Sequence, residues 1–269
     1  MERIKRFIDG YVPVTSCTLR CHYCYITHQR LFDTKLPKFR YDAAFIRKAL
    51  SKDRLGGTCL INLCGGGETL LPAEVVGYTK ALLEEGHYVM IVTNATCSKR
   101  FDEIAQFPKE LRERLFFKFS YHYLELKKRN LLHIFFRNVC KMRDVGCSFT
   151  LEATPSDELV PYINEMKEEA LKYLGALNHV TVARDERCKI EKLPILTKMS
   201  RNEYQKTWGV FNSEFFDYKM SIFGVKRKEF CYAGDWSLSV NIGTGEASQC
   251  YCSYFKQNIY KDIAKPIKF

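Results

Sequence analysis

The feature that most limits the fold is an alternation of two hydrophobic periods along the first 190 residues or so. Short apolar, β-rich runs read as buried strands at YVPVTS (11–16), TCLINLC (58–64), HYVMIVT (87–93), RLFFKFSY (114–121), CSFTLEA (147–153) and HVTVAR (179–184). Segments of helical spacing lie between them. In 41–50, Tyr41, Ala44, Phe45 and Ala49 share one face, and in 72–86 Pro72 suits a first turn and Gly86 a C-cap. Segments 99–107, 127–145 and 157–174 follow suit, the last two ending at Gly146 and Gly175. Parallel strands need a crossover between them, so six strand–helix repeats with short loops predict βαβ units and an α/β fold. Near residue 190 the style changes. KLPILTKMSRNEYQKTWG reads as a linker and a helix, and FCYAGDWSLSVNIGTGEASQCYC (230–252) as a hairpin turning at Gly243-Thr244-Gly245.

Twelve cysteines in 269 residues are more than packing needs. Secreted disulfide scaffolds are short, loop-rich and exported. This chain is long and strand–helix patterned, and its start, MERIKRFIDGYVPVTSC, has no apolar signal region. No apolar run approaches the ~20 residues of a membrane span. The expectation is a cytoplasmic protein with reduced cysteines, some of them metal ligands. Apolar residues at 46% and charged residues at 27% exclude disordered and collagen-like classes. The net charge of +11 permits nucleic acid or an acidic peptide as partner without requiring either.

Cys17, Cys21 and Cys24 form C-x3-C-x2-C in the loop after the first strand. Three thiols within so short a loop suit a compact inorganic cluster, since iron–sulfur clusters are held by thiolates at such spacings. Zinc is the alternative, with His22 and His28 completing four ligands, although zinc sites more often show two separated Cys or Cys/His pairs.

The run Cys17-Thr-Leu-Arg-Cys21-His-Tyr-Cys24, with aromatic Tyr23 directly before the third cysteine, resembles the radical SAM superfamily. A second match is Gly66-Gly67-Glu68 at the end of the second strand, with Thr69 where that family often has proline. The resemblance implies a partial (β/α)6 TIM-like barrel over residues 1–190. It also implies a [4Fe–4S] cluster on the three cysteines, its open iron chelating the amino and carboxylate groups of S-adenosylmethionine (SAM). One electron then cleaves SAM to a 5′-deoxyadenosyl radical, which abstracts hydrogen from a substrate. Gly66, Gly67 and Glu68 are expected to hold the methionine amine. Further cofactor-binding candidates are Tyr23 in the cysteine loop and, at strand ends, Thr93, Asn94, Ser120 and Arg184, the last toward the SAM carboxylate. His122 and Glu152 are candidates for proton transfer to substrate.

Cys231, then eighteen residues, then Cys250-Tyr-Cys252 resembles the truncated SPASM or twitch extension of peptide-modifying members. That implies an auxiliary [4Fe–4S] cluster in a small C-terminal extension, 191–269, with Cys188, a substrate group or a residue lost by truncation as a fourth ligand. Cys59, Cys64, Cys97, Cys140 and Cys147 lie in apolar patterns and read as structural thiols. Phe215, Phe216 and Tyr218 are candidates for lining a substrate groove. A radical SAM enzyme acting on a peptide is thus expected, with a flavodoxin- or ferredoxin-type reductant and neither membrane nor nucleic-acid partner. The alternatives are a glycyl-radical activase, an RNA-modifying radical SAM enzyme, and a zinc-stabilised nucleic-acid-binding protein.

Overall fold

The computed structural model describes residues 3–188, 193–250 and 253–269. Nine strands form one sheet: β1 (Arg6–Val12), β2 (Cys59–Gly65), β3 (Tyr88–Thr93), β4 (Leu115–Ser120), β5 (Ser148–Ala153), β6 (His179–Val180), β7 (Ser237–Asn241), β8 (Glu246–Ser248) and β9 (Lys256–Asn258). Their spatial order is β6-β5-β4-β3-β2-β1-β7-β8-β9. β1 to β6 pair in chain order and all in parallel, as βαβ crossovers of one hand require. The α/β class and the open, partly closed parallel barrel are therefore present. No helix among the described residues is long and apolar enough to cross a membrane.

β4 shows how the strand period builds both core and site. Leu115, Phe117 and Phe119 are buried on the helix-facing side. There Phe117 and Phe119 meet Phe101 of the helix Ser98–Ala105, and Phe119 meets Phe135 of the helix Leu132–Asp144. Burying one such ring contributes about 1.5–3 kcal/mol. The alternate residues, Phe116, Lys118 and Ser120, are half-buried on the opposite face, so Ser120 reaches the strand's C-terminal mouth.

Several boundaries differ from expectation, each for a local reason. The first strand is Arg6–Val12 rather than 11–16, because Pro13 cannot donate to a ladder and the Val14 N–H turns back to the Val12 carbonyl. The expected helix 127–145 is two helices, Tyr123–Lys128 and Leu132–Asp144, parted where Asn130 takes φ 55. Segment 157–174 opens with a 3-10 turn, Asp157–Tyr162, containing Pro161, before the helix Ile163–Leu174. β6 is only two residues long, and Arg184 instead forms a separate bridge with Ile195.

The C-terminal hairpin is β7–β8, antiparallel, with Gly245 at φ +76 in its turn, where a Cβ would lie 2.2 Å from the Tyr260 ring. It is not a detached unit. β7 pairs in parallel with β1, from Phe7 with Ser237 to Tyr11 with Asn241, so one sheet runs through both segments. Before it come the helices Arg201–Gly209 and Glu214–Ile222. Ser200 and Glu203 form a reciprocal capping box at the start of the first. Tyr204 then fixes that helix to the barrel, its hydroxyl accepting from the Ala183 N–H (3.1 Å) and donating to the Pro155 carbonyl (3.2 Å). Phe216 is buried beside Tyr204 and lines no groove, whereas Phe215 and Tyr218 are exposed.

Candidate active site at the strand ends

After β1 the chain forms the cysteine loop, and this loop packs directly on the glycine turn that follows β2. The Gly67 N–H donates to the Val14 carbonyl (2.7 Å) and the Glu68 N–H to the Ser16 carbonyl (2.9 Å). A Cβ at Gly67 would sit 1.9 Å from the Ser16 oxygen, and one at Gly65 2.5 Å from a Val14 methyl. Close backbone approach, rather than an unusual φ, is what requires glycine here. Between these walls lies a cavity of about 180 Å³ lined by Cys17, Cys21, Tyr23, Cys24, Gly66, Gly67, Glu68, Thr93, Asn94, Ser120 and His122.

The three thiols are free, and the loop holds them through its backbone. The Cys21 carbonyl accepts the Cys24 N–H (3.1 Å) and the Thr27 hydroxyl (2.8 Å), and the Cys24 carbonyl accepts the His28 N–H. The Cys17 sulfur accepts from the Leu19 N–H (3.5 Å) and from the Asn94 amide (3.6 Å). Burial pushes the Cys17 thiol up to about 11, and Cys21 is raised by burial and by the adjacent Cys17 and Cys24. Crowded, buried thiolates are costly on their own and favourable around a cationic metal core. Among the described residues no three ligand side chains are gathered tightly enough for a single metal ion, but three cysteines around one cavity are the donor type of a larger thiolate-bound cluster, and the wall opposite, Gly65 to Gly67, carries no side chains. His22 and His28 do not line the cavity, and His22 is engaged by Glu158 (2.9 Å) and Ser156 (3.0 Å). Nothing in this arrangement favours the zinc alternative.

Glu68 departs from its expected posture. Its carboxylate is 2% exposed and already takes three donors: the Thr93 hydroxyl (2.6 Å), the Leu70 N–H (3.0 Å) and the Asn94 N–H (2.8 Å). Burial raises its pKa against these three bonds. The side chain thus latches the glycine turn to the end of β3 instead of lying open to an ammonium. Thr93 is a part of the latch, accepting the Ala95 N–H as well. Glu68→Gln turns an NH₂ toward a donor and is expected to cost about 1–3 kcal/mol. An unchanged urea midpoint would contradict the latch.

Asn94 continues this chain of contacts. Its amide donates to Thr18 (3.0 Å) and to the Cys17 sulfur, while its carbonyl accepts from the Thr96 N–H and hydroxyl. Between them Ala95 takes φ 57, a conformation that costs a residue with a Cβ of order 1–3 kcal/mol. Buried Asn138 holds it there, donating to the Ala95 carbonyl (2.8 Å). Asn138 was not anticipated. The available signal was an amide at a core position, between Phe135 and Met142 on one helix face.

Tyr23 and His122 form one unit, the phenol oxygen lying 2.7 Å from Nδ1. Burial raises the phenol and lowers His122 from 6.5 to about 4. The phenol therefore donates, Nδ1 accepts, and the imidazole proton resides on Nε2. Because the folded pKa is depressed, the neutral ring persists as pH falls through 6.5 and is lost only near 4. Histidine ¹⁵N shifts should show this single neutral tautomer across that window, and a titration centred at the ordinary value would contradict it.

Glu152 and Arg184 belong to a second, larger cavity of about 590 Å³ that shares Tyr23 and Cys24 with the first. Glu152 pairs with Lys118 (2.8 Å), and Arg184, half-exposed, with Glu186 (2.8 Å). Arg184 does not line the cysteine cavity. Lys118 and Lys219 of this second cavity were also missed, although a lone lysine inside the apolar run RLFFKFSY marks a charge facing a lumen.

At the C-terminal hairpin, Cys231 is exposed and Cys250 half-buried, while Cys252 lies outside the described residues. The segments bearing Cys231 and Cys250 converge, since a Cβ on Gly234 would lie 2.7 Å from the Gln249 amide. Cys59 and Cys147 are buried, and Cys64, Cys97 and Cys140 partly so.

Residues 11–122, which hold both the cysteine loop and the glycine turn, match the radical SAM superfamily. That matched segment holds every residue of both motifs. A search of curated proteins gave no match. Among solved structures the chain is similar to Streptococcus suis SuiB bound to S-adenosylmethionine, with a TM-score of 0.62 and 13% identity over 96% of this chain and 64% of SuiB. It is also similar to anSMEcpe with bound AdoMet, with a TM-score of 0.63 and 14% identity over 96% of this chain and 79% of that one. A third match is SuiB bound to its precursor peptide SuiA, with a TM-score of 0.60, 13% identity and 96% and 63% coverage. At such identities the likeness is one of fold. The chain spans about 64% of the length of SuiB.

Proposed function

We propose that this chain is a radical SAM enzyme that abstracts hydrogen from a peptide substrate. The observation that carries the reading is the meeting of Cys17, Cys21 and Cys24 with the side-chain-free wall at Gly66 and Gly67 around one cavity. A [4Fe–4S] cluster on these thiolates supplies, when bound with SAM, the electron that releases methionine and a 5′-deoxyadenosyl radical. The chain's own groups do the rest. Asn94 and the Leu19 N–H direct hydrogen bonds to the Cys17 sulfur, which tunes the ease of reduction. The backbone of Gly66 and Gly67 offers the amino group of methionine a polar wall, and Ser120 offers a hydroxyl at the end of β4. Neutral His122, tethered by Tyr23, presents Nε2–H as a donor rather than a charge. Tyr23 and Cys24 line both cavities, so a cofactor held in the first would adjoin a substrate held in the second.

A peptide substrate is supported by the size of the larger cavity and by the likeness to SuiB bound to a precursor peptide and to anSMEcpe bound with AdoMet and Cp18Cys peptide. The electron donor is proposed to be a flavodoxin or ferredoxin, and the site of action the cytoplasm. Cys231, Cys250 and Cys252 are proposed to hold an auxiliary [4Fe–4S] cluster, supported by the convergence of the Gly234 and Gln249 segments. The test is the Cys17/Cys21/Cys24→Ala triple variant, reconstituted anaerobically. It should retain about four irons and a [4Fe–4S] spectrum, and further loss of Cys231, Cys250 and Cys252 should remove both. A folded but colourless triple variant would leave one cluster and favour a glycyl-radical activase.

A further inference from the structure

The larger cavity has an unbalanced charge. Five acidic or basic side chains of the barrel and the helix Glu214–Ile222 face it: Lys118, Glu152, Arg184, Glu186 and Lys219. Two pairs are closed, Lys118 with Glu152 and Arg184 with Glu186, both at 2.8 Å. Lys219 is the remainder. Its ammonium bonds to the Thr181 hydroxyl and lies over the Phe215 ring at 4.1 Å. Its nearest carboxylate oxygen, on Glu152, is 3.9 Å away, and that carboxylate is already engaged by Lys118. An ammonium has three donors, so Thr181 leaves most of its hydrogen-bonding capacity unused.

The position of Lys219 is fixed. Phe215 lies one helical turn before it, Thr181 follows β6, and both hold the ammonium over the cavity. Burial, partly offset by Glu152, lowers the lysine's pKa, so its charge is held at a cost that an incoming anion would offset. Neutral ligands can accept a hydrogen bond from such a group but do not compensate its charge, and cationic ligands meet repulsion.

We propose that the larger cavity is the substrate chamber and that Lys219 selects substrates presenting a carboxylate, either an acidic side chain or a peptide C-terminus. This rests on the radical SAM reading for its chemistry, but the recognition itself is read without turnover. Lys219 is here a specificity residue, distinct from the groups around the cysteine cavity.

The probes are three short peptides: acetyl-Ala-Glu-Ala-amide, its Gln counterpart, and the Gln peptide with a free carboxyl terminus. Each is titrated into the reconstituted, SAM-bound protein by calorimetry. At least one charged probe should bind about ten-fold more tightly than the neutral one, equivalent to about 1.4 kcal/mol. Which of the two does so identifies the source of the carboxylate. Lys219→Met should abolish the preference and Lys219→Arg should keep most of it, with SAM affinity unchanged in both. Equal binding of all three peptides by the wild-type protein, or no binding of any, overturns the proposal, and this comparison needs no variant. A preference that survives in Lys219→Met also overturns it. So does a ten-fold loss of SAM affinity in that variant, which would assign the lysine to the cofactor. Failure of the radical SAM reading would appear instead as absent SAM cleavage, with the peptide preference intact.

Discussion

Gly67→Ala is expected to cost the protein both stability and iron. The added methyl would lie 1.9 Å from the Ser16 oxygen, 2.6 Å from its carbonyl carbon and 2.8 Å from that of Thr15. These are backbone atoms and cannot swing aside. Relief requires the cysteine loop and the glycine turn to separate, which breaks the bonds from Gly67 to Val14 and from Glu68 to Ser16. Overpacking of about 1–3 kcal/mol adds to two hydrogen bonds at about 0.5–1.5 kcal/mol each. The total is a large share of the roughly 5–15 kcal/mol that keeps a domain folded. Because the displaced loop carries Cys17, Cys21 and Cys24, iron retained after reconstitution should fall with stability.

Gly77→Ala is the matched control. Its Cβ would meet only the Ala43 methyl, at 3.7 Å, inside the helix Glu74–Glu84. There alanine is favoured by roughly 0.5–1 kcal/mol. Opposite shifts in urea midpoint are expected for the two variants, with iron lost only in the first. A Gly67→Ala protein that matches Gly77→Ala in both would show that the two walls need not touch.

What the sequence made legible was governed by local pattern. The parallel strands from β2 to β5 were readable within a residue or two, because a strand buried on both faces is a continuous apolar run bounded by turns. The placement of β1 was not, since YVPVTS is as apolar as RFIDGYV and only the proline distinguishes them. The pairing of β7 with β1 was also hidden: it joins residues more than two hundred apart, and a hairpin signal says nothing about the edge on which the hairpin docks.

The site divides in the same way. Cys17, Cys21 and Cys24 stand within one loop, and spacing alone gathers them. The latch formed by Glu68, Thr93 and Asn94 crosses two strands, so its residues were readable as strand-end polar groups while their partners were not. Asn138 and Lys219 act from helices far along the chain, and nothing near them in sequence reports what they face. Arg184 was placed at the right mouth of the barrel but in the other cavity.

The most direct test of the radical SAM assignment is the release of 5′-deoxyadenosine from SAM by wild-type protein and by Cys21→Ala. Cys21 is the most buried of the three thiols, and its carbonyl, which accepts the Cys24 N–H and the Thr27 hydroxyl, is left in place by the substitution. The variant should therefore fold, with a cluster ligand that solvent cannot readily replace removed. With dithionite as reductant and anaerobic reconstitution, wild type should release 5′-deoxyadenosine and methionine, and Cys21→Ala should fall to background. Equal release by the two proteins would contradict the assignment of the cysteine loop to SAM cleavage.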